Sequence, residues 1–422
     1  MKILIDRFKK NSFLKNVATL ALGTIVSQSI VICVSPVLTR IYSVEDFGIL
    51  SLFTSIGVFL AVLTTGRYEL AVVLPNRDSK AREIVQLIIT LGLLVSLIYG
   101  LLILGLTSSG SLFSHIKLLQ NKVVFLLPIY TFLTSVYTAI GYWFQRKKMY
   151  KRISIASTIQ AIATAIFSML FGWLNFQQFG LIFSLILAIL VSTIYLFKSE
   201  IKYFLSFSLH DMMQMAKRYV SFPKFMLVSD LSLSLTQQFI PVIFATLFST
   251  LVVGYYAMAN RILRLPIIVM VGAISNVFRN EAIEEIMIKG NCKELYISTV
   301  KKLSYIGIPV FLLIFFIGPF AFQIVFGPEW KTAGVFSRVL CILLFTEFIA
   351  VPLNSLFYIR EKQNKYMRFQ LLNAFCSTLA IYLGYKMYNS AYISLVFFCV
   401  TGAIFNSFLL FQTYKLANYN NS

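Results

Sequence analysis

The chain reads as an all-α integral membrane protein with about twelve transmembrane helices in two six-helix bundles. Three observations carry that reading. Hydrophobic residues make up 58% of the chain and charged ones 13%, with a mean hydropathy of +0.81, far outside soluble globular usage. Apolar runs of about 20 residues, the length that a hydrocarbon core of roughly 30 Å asks of a helix, recur along the whole sequence. Short motifs also repeat at an offset near half of the 422 residues.

The first fifteen residues, MKILIDRFKKNSFLK, are basic and partly amphipathic. No small-residue cleavage site follows a short apolar core, so 1–15 read as a cytoplasmic interfacial segment and not as a removable signal. Spans follow over 16–39, 46–65, 84–106, 123–144, 153–173 and 178–197, giving a first bundle over 16–198. A cytoplasmic linker takes 199–222. The second bundle, 223–412, holds spans over 223–247, 251–278, 303–326, 333–358, 367–387 and 392–412, and a cytoplasmic tail completes 413–422. The short connections leave no room for a soluble domain of any size. Pro36, Pro128, Pro241, Pro266, Pro309 and Pro352 fall in or near span interiors, where kinks are tolerated if the freed carbonyls face a cavity.

A net charge of +21, from 37 Lys and Arg against 16 Asp and Glu, suggests nucleic acid until its distribution is examined. With the N-terminus inside, 28 of the 37 lie on the cytoplasmic side. Arg40, Lys117, Lys122, Lys331 and Lys386 lie outside, and Lys224, Arg261, Arg264 and Arg338 lie within spans. That bias in short loops fixes orientation by the positive-inside rule and puts both termini in the cytoplasm. The basic excess is topology with some affinity for anionic lipid, and no nucleic-acid partner is expected. The five cysteines, Cys33, Cys292, Cys341, Cys376 and Cys399, show no paired spacing, so neither disulfides nor a metal site are expected, and no cofactor is implied.

An enzyme needs a site, and the sequence offers none. It has no G-x-x-x-x-G-K-[ST] loop and no G-x-S-x-G elbow. Its two histidines, His115 and His210, stand in loops away from carboxylate clusters. The longest hydrophilic stretches, about two dozen residues and facing the cytoplasm, are too short for an aqueous catalytic domain. What remains is a bundle with polar groups inside it, which suggests a transport pathway.

The two halves match in order. Pro36-Val37 corresponds to Pro241-Val242, Ser43 to Ser249 and Gly48 to Gly254 at an offset of 205 to 206; Arg67-Tyr68-Glu69 corresponds to Arg279-Asn280-Glu281 at 212; and Tyr150–Arg152 to Tyr366–Arg368 at 216. The halves therefore read as parallel repeats. Arg-x-Glu is expected to close the cytoplasmic end of the second span in each. Two readings of it stand side by side. In one, Arg67 and Glu69 face Glu281 and Arg279 across the cytoplasmic mouth, with Lys224 nearby, and form ion pairs that break on opening. In the other, each motif caps its own helix and anchors it to headgroups.

Charges at bilayer depth cost about 2.5–3.5 kcal/mol each on insertion scales and are functional candidates by default. The first-half spans carry none; Gln28 and Gln160 are their strongest polar residues. The second half carries Asp230 and the pair Gln237-Gln238, then Arg261 and Arg264, then Arg338 and Glu347. At a rise of about 1.5 Å per residue, Asp230, Arg264 and Glu347 come to similar depths and can compensate one another. Arg261, one turn from Arg264, reaches mid-depth with no carboxylate beside it. A guanidinium left over in a cavity suits the oxygens of a phosphate, and Tyr255 and Tyr256 beside it are placed to meet a sugar. The competing reading makes both arginines structural partners of Asp230 and Glu347.

The stretches SPVLTRIYSVEDFG, RYELAVVLP, MYKRISIAS, GYYAMANRILRLP and VFRNEA resemble those of Wzx-type polysaccharide flippases of the multidrug/oligosaccharidyl-lipid/polysaccharide exporter superfamily. The resemblance runs from about residue 12 to the end and is specific in spans 1–2 and 7–8. It implies a MATE-like, V-shaped pair of bundles around a central cavity. It implies a bacterial inner-membrane protein that moves an undecaprenyl-diphosphate-linked oligosaccharide, such as an O-antigen unit, to the periplasmic leaflet. By position it places Arg261 and Arg264 on the cavity side. Ion coupling, if the superfamily's habit holds, falls to Asp230 or Glu347, and a polysaccharide polymerase and chain-length regulator are the protein partners it suggests. Two rival functions remain: a drug or organic-cation antiporter of the same fold, which would want uncompensated carboxylates, and a non-transport membrane scaffold, which would need no charge at mid-depth.

Overall fold

The computed structural model describes residues 2–108, 121–198, 200, 204 and 208–419, with side chains left out at 2–18, 20, 108, 228, 229, 232, 233, 235–237, 265, 266, 268, 269, 273 and 276. His115 lies outside this set. The described residues form helices throughout: α1 Lys2–Ile41, α2 Val44–Thr65, α3 Asp78–Ser108, α4 Leu127–Arg146, α5 Tyr150–Trp173, α6 Gln177–Lys198, α7 Leu209–Arg218, α8 Leu227–Leu247, α9 Thr250–Lys289, α10 Lys293–Phe326, α11 Lys331–Leu353, α12 Ser355–Ile359, α13 Gln363–Tyr388 and α14 Ala391–Ala417. Each of the twelve expected spans coincides with helix. By length and composition, nine segments among the described residues can cross a bilayer. The other three expected spans lie on α8, α9 and α13.

At the N-terminus α1 runs unbroken from Lys2 into the first span, so residues 2–15 continue the backbone of that span's helix. No glycine or proline precedes Gly23 to interrupt it.

The chain divides into two compact units, Met1–Thr246 and Leu247–Ser422. The sequence reading opens the second bundle at residue 223, yet α8 falls with the first unit. Three contacts account for this: Asp230 pairs with Arg67, Phe239 meets Phe59 edge-on at 5.6 Å, and Pro223 backs onto Gly66.

Within each unit the repeated motifs perform the same local task. Ser43 caps α2, accepting from the Asp46 N–H at 3.2 Å while the Asp46 carboxylate accepts from the Ser43 N–H at 2.9 Å, a reciprocal capping box. Ser249 caps α9 by accepting from the Val252 N–H at 3.3 Å. Lys148 (φ 56) and Glu361 (φ 54) occupy the same left-handed turn. In each turn the following N–H reaches back to a helix carbonyl, Met149 to Phe144 at 2.9 Å and Lys362 to Phe357 at 2.7 Å, as helix C-caps do.

The second spans of the two units end differently. α2 stops at Gly66 (φ 56), followed by Arg67 (φ 60) and a 3-10 turn over Tyr68–Ala71. The apolar run after Glu69 crosses nothing: Ala71 and Val72 are fully buried in a core with Ile84, Trp143 and Met212. In the second unit Arg279-Asn280-Glu281 does not close its helix, contrary to expectation; α9 continues to Lys289 and stops at Gly290 (φ 79). The reason lies in one position. Where the first half has Gly66, the repeat at 212 places Phe278, buried in its own core, and phenylalanine supplies no left-handed stop.

Gly66 is therefore testable. A Cβ added there meets only ordinary contacts, 3.4 Å from Tyr68 and 3.9 Å from Pro223, so the cost of a side chain is conformational. Gly66→Val should lower stability by about 1–2 kcal/mol and Gly66→Asn by less, because asparagine tolerates the left-handed region. Thermal unfolding in detergent reads the difference, and equal midpoints for the three proteins would contradict it.

Candidate functional site

The charged candidates Arg67, Glu69 and Asp230 gather in the first unit, and Arg261, Arg264 and Glu347 lie in the second. In the second unit, α9 presents Asn260, Arg261 and Arg264, and α11 presents Glu347. The Arg264 guanidinium grips Glu347 with both terminal nitrogens, Nη1 to Oε1 at 2.8 Å and Nη2 to Oε2 at 3.2 Å. Its Nε donates to Asn260 Oδ1 at 2.9 Å. This is the two-pronged geometry that arginine makes and lysine does not. Asn260 and Arg264 stand four apart on one helix, where side chains meet. That spacing was visible in ANRILRLP, and the sequence reading passed over it.

Arg261, one turn before Arg264, is half-buried and makes no hydrogen bond or ion pair among the described residues. The aromatic neighbours divide. Tyr255 is half-buried, its ring edge-on to Trp330 at 6.5 Å and Phe336 at 6.2 Å. Tyr256 is only 4% exposed and packs inside the unit, so it is not placed to meet a ligand as expected. The helical period explains the split, since neighbours about 100° apart cannot share a face.

Arg338 has a structural task. Pro319 has no N–H to offer the carbonyl one turn back, and Arg338 from α11 supplies the missing donor: Nε to Phe315 O at 2.9 Å and Nη2 to Phe316 O at 3.3 Å. Arg360 is occupied in the same manner, donating to Gly290 O at 3.0 Å and Tyr419 O at 2.6 Å, where helix C-termini favour a cation.

In the first unit Arg67 holds two carboxylates. Its Nε lies 2.5 Å from Asp230 Oδ2 and its Nη1 2.9 Å from Glu69 Oε1. Glu69 is 1% exposed, and its Oε2 is buried with no hydrogen-bond partner among the described residues. Burial alone would lower the Arg67 pKa, but the hydrogen bond to Asp230 and the charge of Glu69 outweigh it and raise the pKa above its ordinary value. The grouping of Asp230, Arg264 and Glu347 expected from depth is therefore corrected. Glu347 does pair with Arg264, whereas Asp230 pairs with Arg67. Depth along a helix axis leaves the direction of the side chain around that axis open.

The remaining candidates are scattered. Gln28 on α1 and Gln238 on α8 are half-buried; the side chain of Gln237 lies outside the described set. Lys224 is exposed in a π-helical turn over Phe222–Met226, its Nζ 5.3 Å from the Phe225 ring. Arg279 and Glu281 are exposed on α9. Among the described residues no three His, Cys, Asp or Glu side chains gather as metal ligands would.

Residues 37–335 match the family described as "Polysaccharide biosynthesis protein". Comparison with curated proteins finds no match. Among solved structures, the chain resembles a multidrug resistance MATE family transporter of the MOP superfamily in an inward-facing conformation, with a TM-score of 0.68 and 14% identity over 94% of this chain and 93% of that one. It resembles a mutant of the Vibrio cholerae MATE transporter VcmN with a TM-score of 0.60 and 13% identity over 96% of each chain. A MOP superfamily transporter from Pyrococcus furiosus, described as having a binding pocket of reverse polarity, matches with a TM-score of 0.58 and 14% identity over 95% of this chain and 94% of that one. At such identities the likeness establishes a MATE-like fold and nothing finer.

Proposed function

The chain belongs to the polysaccharide biosynthesis protein family, and from that membership we propose that it is a flippase for an undecaprenyl-diphosphate-linked oligosaccharide, working by alternating access in a bacterial inner membrane with both termini cytoplasmic. Family and fold together indicate a multi-pass membrane transporter rather than an enzyme. The observation that carries the finer reading is Arg261. A half-buried guanidinium, without a partner among the described residues, sits one turn from an arginine already committed to a carboxylate. Such a group offers an anion its fork at a depth where stray charge is expensive. In this reading Arg261 meets the diphosphate, and Arg264 with Glu347 holds the neighbouring turn in place. Arg67 with Asp230 acts as a gating ion pair within the first unit, and any ion coupling runs through Asp230 or Glu347. A polysaccharide polymerase and a chain-length regulator are the protein partners.

One observation favours the organic-cation antiporter: Arg67 is surrounded by two carboxylates, one of them with an unpartnered oxygen. The second unit argues the other way, since its Glu347 is fully engaged by Arg264. Deletion of the gene separates the two. A flippase mutant loses surface glycan and accumulates lipid-linked repeat units, and the wild-type gene restores export. A mutant with normal glycan and raised sensitivity to lipophilic cations would overturn the flippase reading in favour of the antiporter.

A further inference from the structure

Helix α7, in the linker that follows the sixth span, has three unlike sides. Met212 and Met215 are buried in a core of the first unit, with Tyr68, Ile84, Ile88 and Trp143. Leu209 and Met213 stand four apart, where helical side chains meet, and remain 61% and 60% exposed. His210 and Gln214 are exposed too, and share a hydrogen bond at 2.9 Å. Going round the helix at about 3.6 residues per turn, the buried methionines come first, then the exposed apolar pair, then the polar pair. Leu209 and Met213 thus lie between the side that faces protein and the side that faces water.

Depth supplies a third medium for them. The core residues that hold α7 mark the ends of three expected spans: Tyr68 follows the second, Ile84 opens the third and Trp143 lies at the close of the fourth. The helix is pinned at that level, since the Tyr68 hydroxyl donates to Ala216 O at 3.1 Å and Asp211 lies 3.9 Å from Lys80 at the start of α3. A helix so placed meets the headgroup region of the bilayer, where amphipathic helices bury their apolar side. Its charge fits the same surroundings. Lys217, one turn beyond Met213, is exposed, and its side chain makes no hydrogen bond or ion pair among the described residues. The stem of such a lysine lies along apolar chains while its ammonium reaches a phosphate.

We propose that α7 is a lipid-docking helix: Leu209 and Met213 enter the acyl boundary of the cytoplasmic leaflet, and Lys217 pairs with the headgroup of an anionic phospholipid. The proposal goes beyond the transport reading and takes from it only the orientation in the membrane. The docked helix has a lever on the first unit. Its Ala216 carbonyl holds Tyr68, the residue between Arg67 and Glu69, so lipid bound at α7 steadies the turn on which the Arg67–Asp230 pair stands.

The test uses the full-length protein in vesicles of phosphatidylethanolamine and phosphatidylglycerol, with a photoreactive benzophenone side chain at Leu209, Met213 or Gln214. Irradiation should give phospholipid adducts at Leu209 and Met213 and almost none at Gln214. Among the Met213 adducts phosphatidylglycerol should exceed its share of the vesicle about fivefold, equivalent to about 1 kcal/mol for one lysine near an anionic surface. Lys217→Gln should bring that excess back toward the vesicle's own ratio. Two apolar probe positions keep the test open if one variant fails to insert. Equal lipid labelling at all three positions, no lipid adduct at Leu209 and Met213, or cross-linking of both to protein in place of lipid would overturn the docking. Adducts in the vesicle's own ratio, unchanged by Lys217→Gln, would overturn the anionic headgroup. Lipid contact is read without transport, so these outcomes stand apart from the loss and restoration of glycan export that test the flippase reading.

Discussion

Arg261→Ala should abolish export of surface glycan while leaving the protein folded and inserted. The argument turns on what the guanidinium does before substrate arrives. It holds no partner among the described residues, so its removal orphans no carboxylate and opens no ion pair. A half-buried charge without a partner costs free energy to keep, and alanine relieves that cost. Stability should therefore hold or rise slightly. Transport is different. A diphosphate leaving water needs a fixed cation to lower its barrier, and charge-assisted hydrogen bonds contribute about 1.5–3 kcal/mol each, so loss of a two-pronged contact should cost two orders of magnitude or more in rate. Arg261→Lys keeps the charge and loses the fork, and should retain partial activity. Surface glycan in a strain lacking the native gene, normalised to inserted protein, is the measurement. Full activity in Arg261→Ala would place the diphosphate elsewhere.

Breaking the Arg264–Glu347 pair should produce the opposite pattern, loss of folded protein before loss of chemistry. Arg264→Ala leaves Glu347 with a charge and no fork, and Asn260 with one donor fewer. Removing one partner of a buried pair typically costs about 3–5 kcal/mol. Here the side chains retain 38% and 24% exposure, which screens part of that loss, so about 1–3 kcal/mol is the expected range. Arg264→Met with Glu347→Leu should recover most of the stability, because an apolar pair of similar volume removes both charges together. Thermal unfolding in detergent orders the three proteins. A double mutant no more stable than Arg264→Ala would show that Arg264 acts through something other than Glu347.

The sequence was most informative where the physics is one-dimensional. Span lengths follow from bilayer thickness, and every expected span falls on helix. Ser43 and Ser249 matched by offset and proved to be N-caps of corresponding helices, because capping is a local interaction legible within four residues. The failures share another cause. Depth groups Asp230 with Arg264 and Glu347, but the partner that reaches Asp230 is Arg67, 163 positions away in sequence, and no spacing rule connects them. Tyr256 reads as a ligand contact together with Tyr255, five and six residues before Arg261, although a helix turns these adjacent tyrosines apart. The structural task of Arg338, counted with the other charges at bilayer depth, is hidden in the sequence because the carbonyl freed by Pro319 sits on a different helix.

The missing stop at Phe278 has a mechanical consequence. α2 has 22 residues, about 33 Å, which matches a hydrocarbon core of roughly 30 Å. α9 has 40, about 60 Å, so nearly half of it must tilt within the bilayer or stand in water. The ten residues after Arg279, NEAIEEIMIK, contain no glycine or proline, so this overhang has no built-in joint and behaves as a stiff rod. A sideways displacement at Lys289 is carried along this overhang as far as Gly272 and Pro266, the first glycine and proline met on the way to Arg261. The equivalent push on the first unit would be absorbed at Gly66. One half of the protein thus ends its second span in a lever, and the other ends it in a pivot.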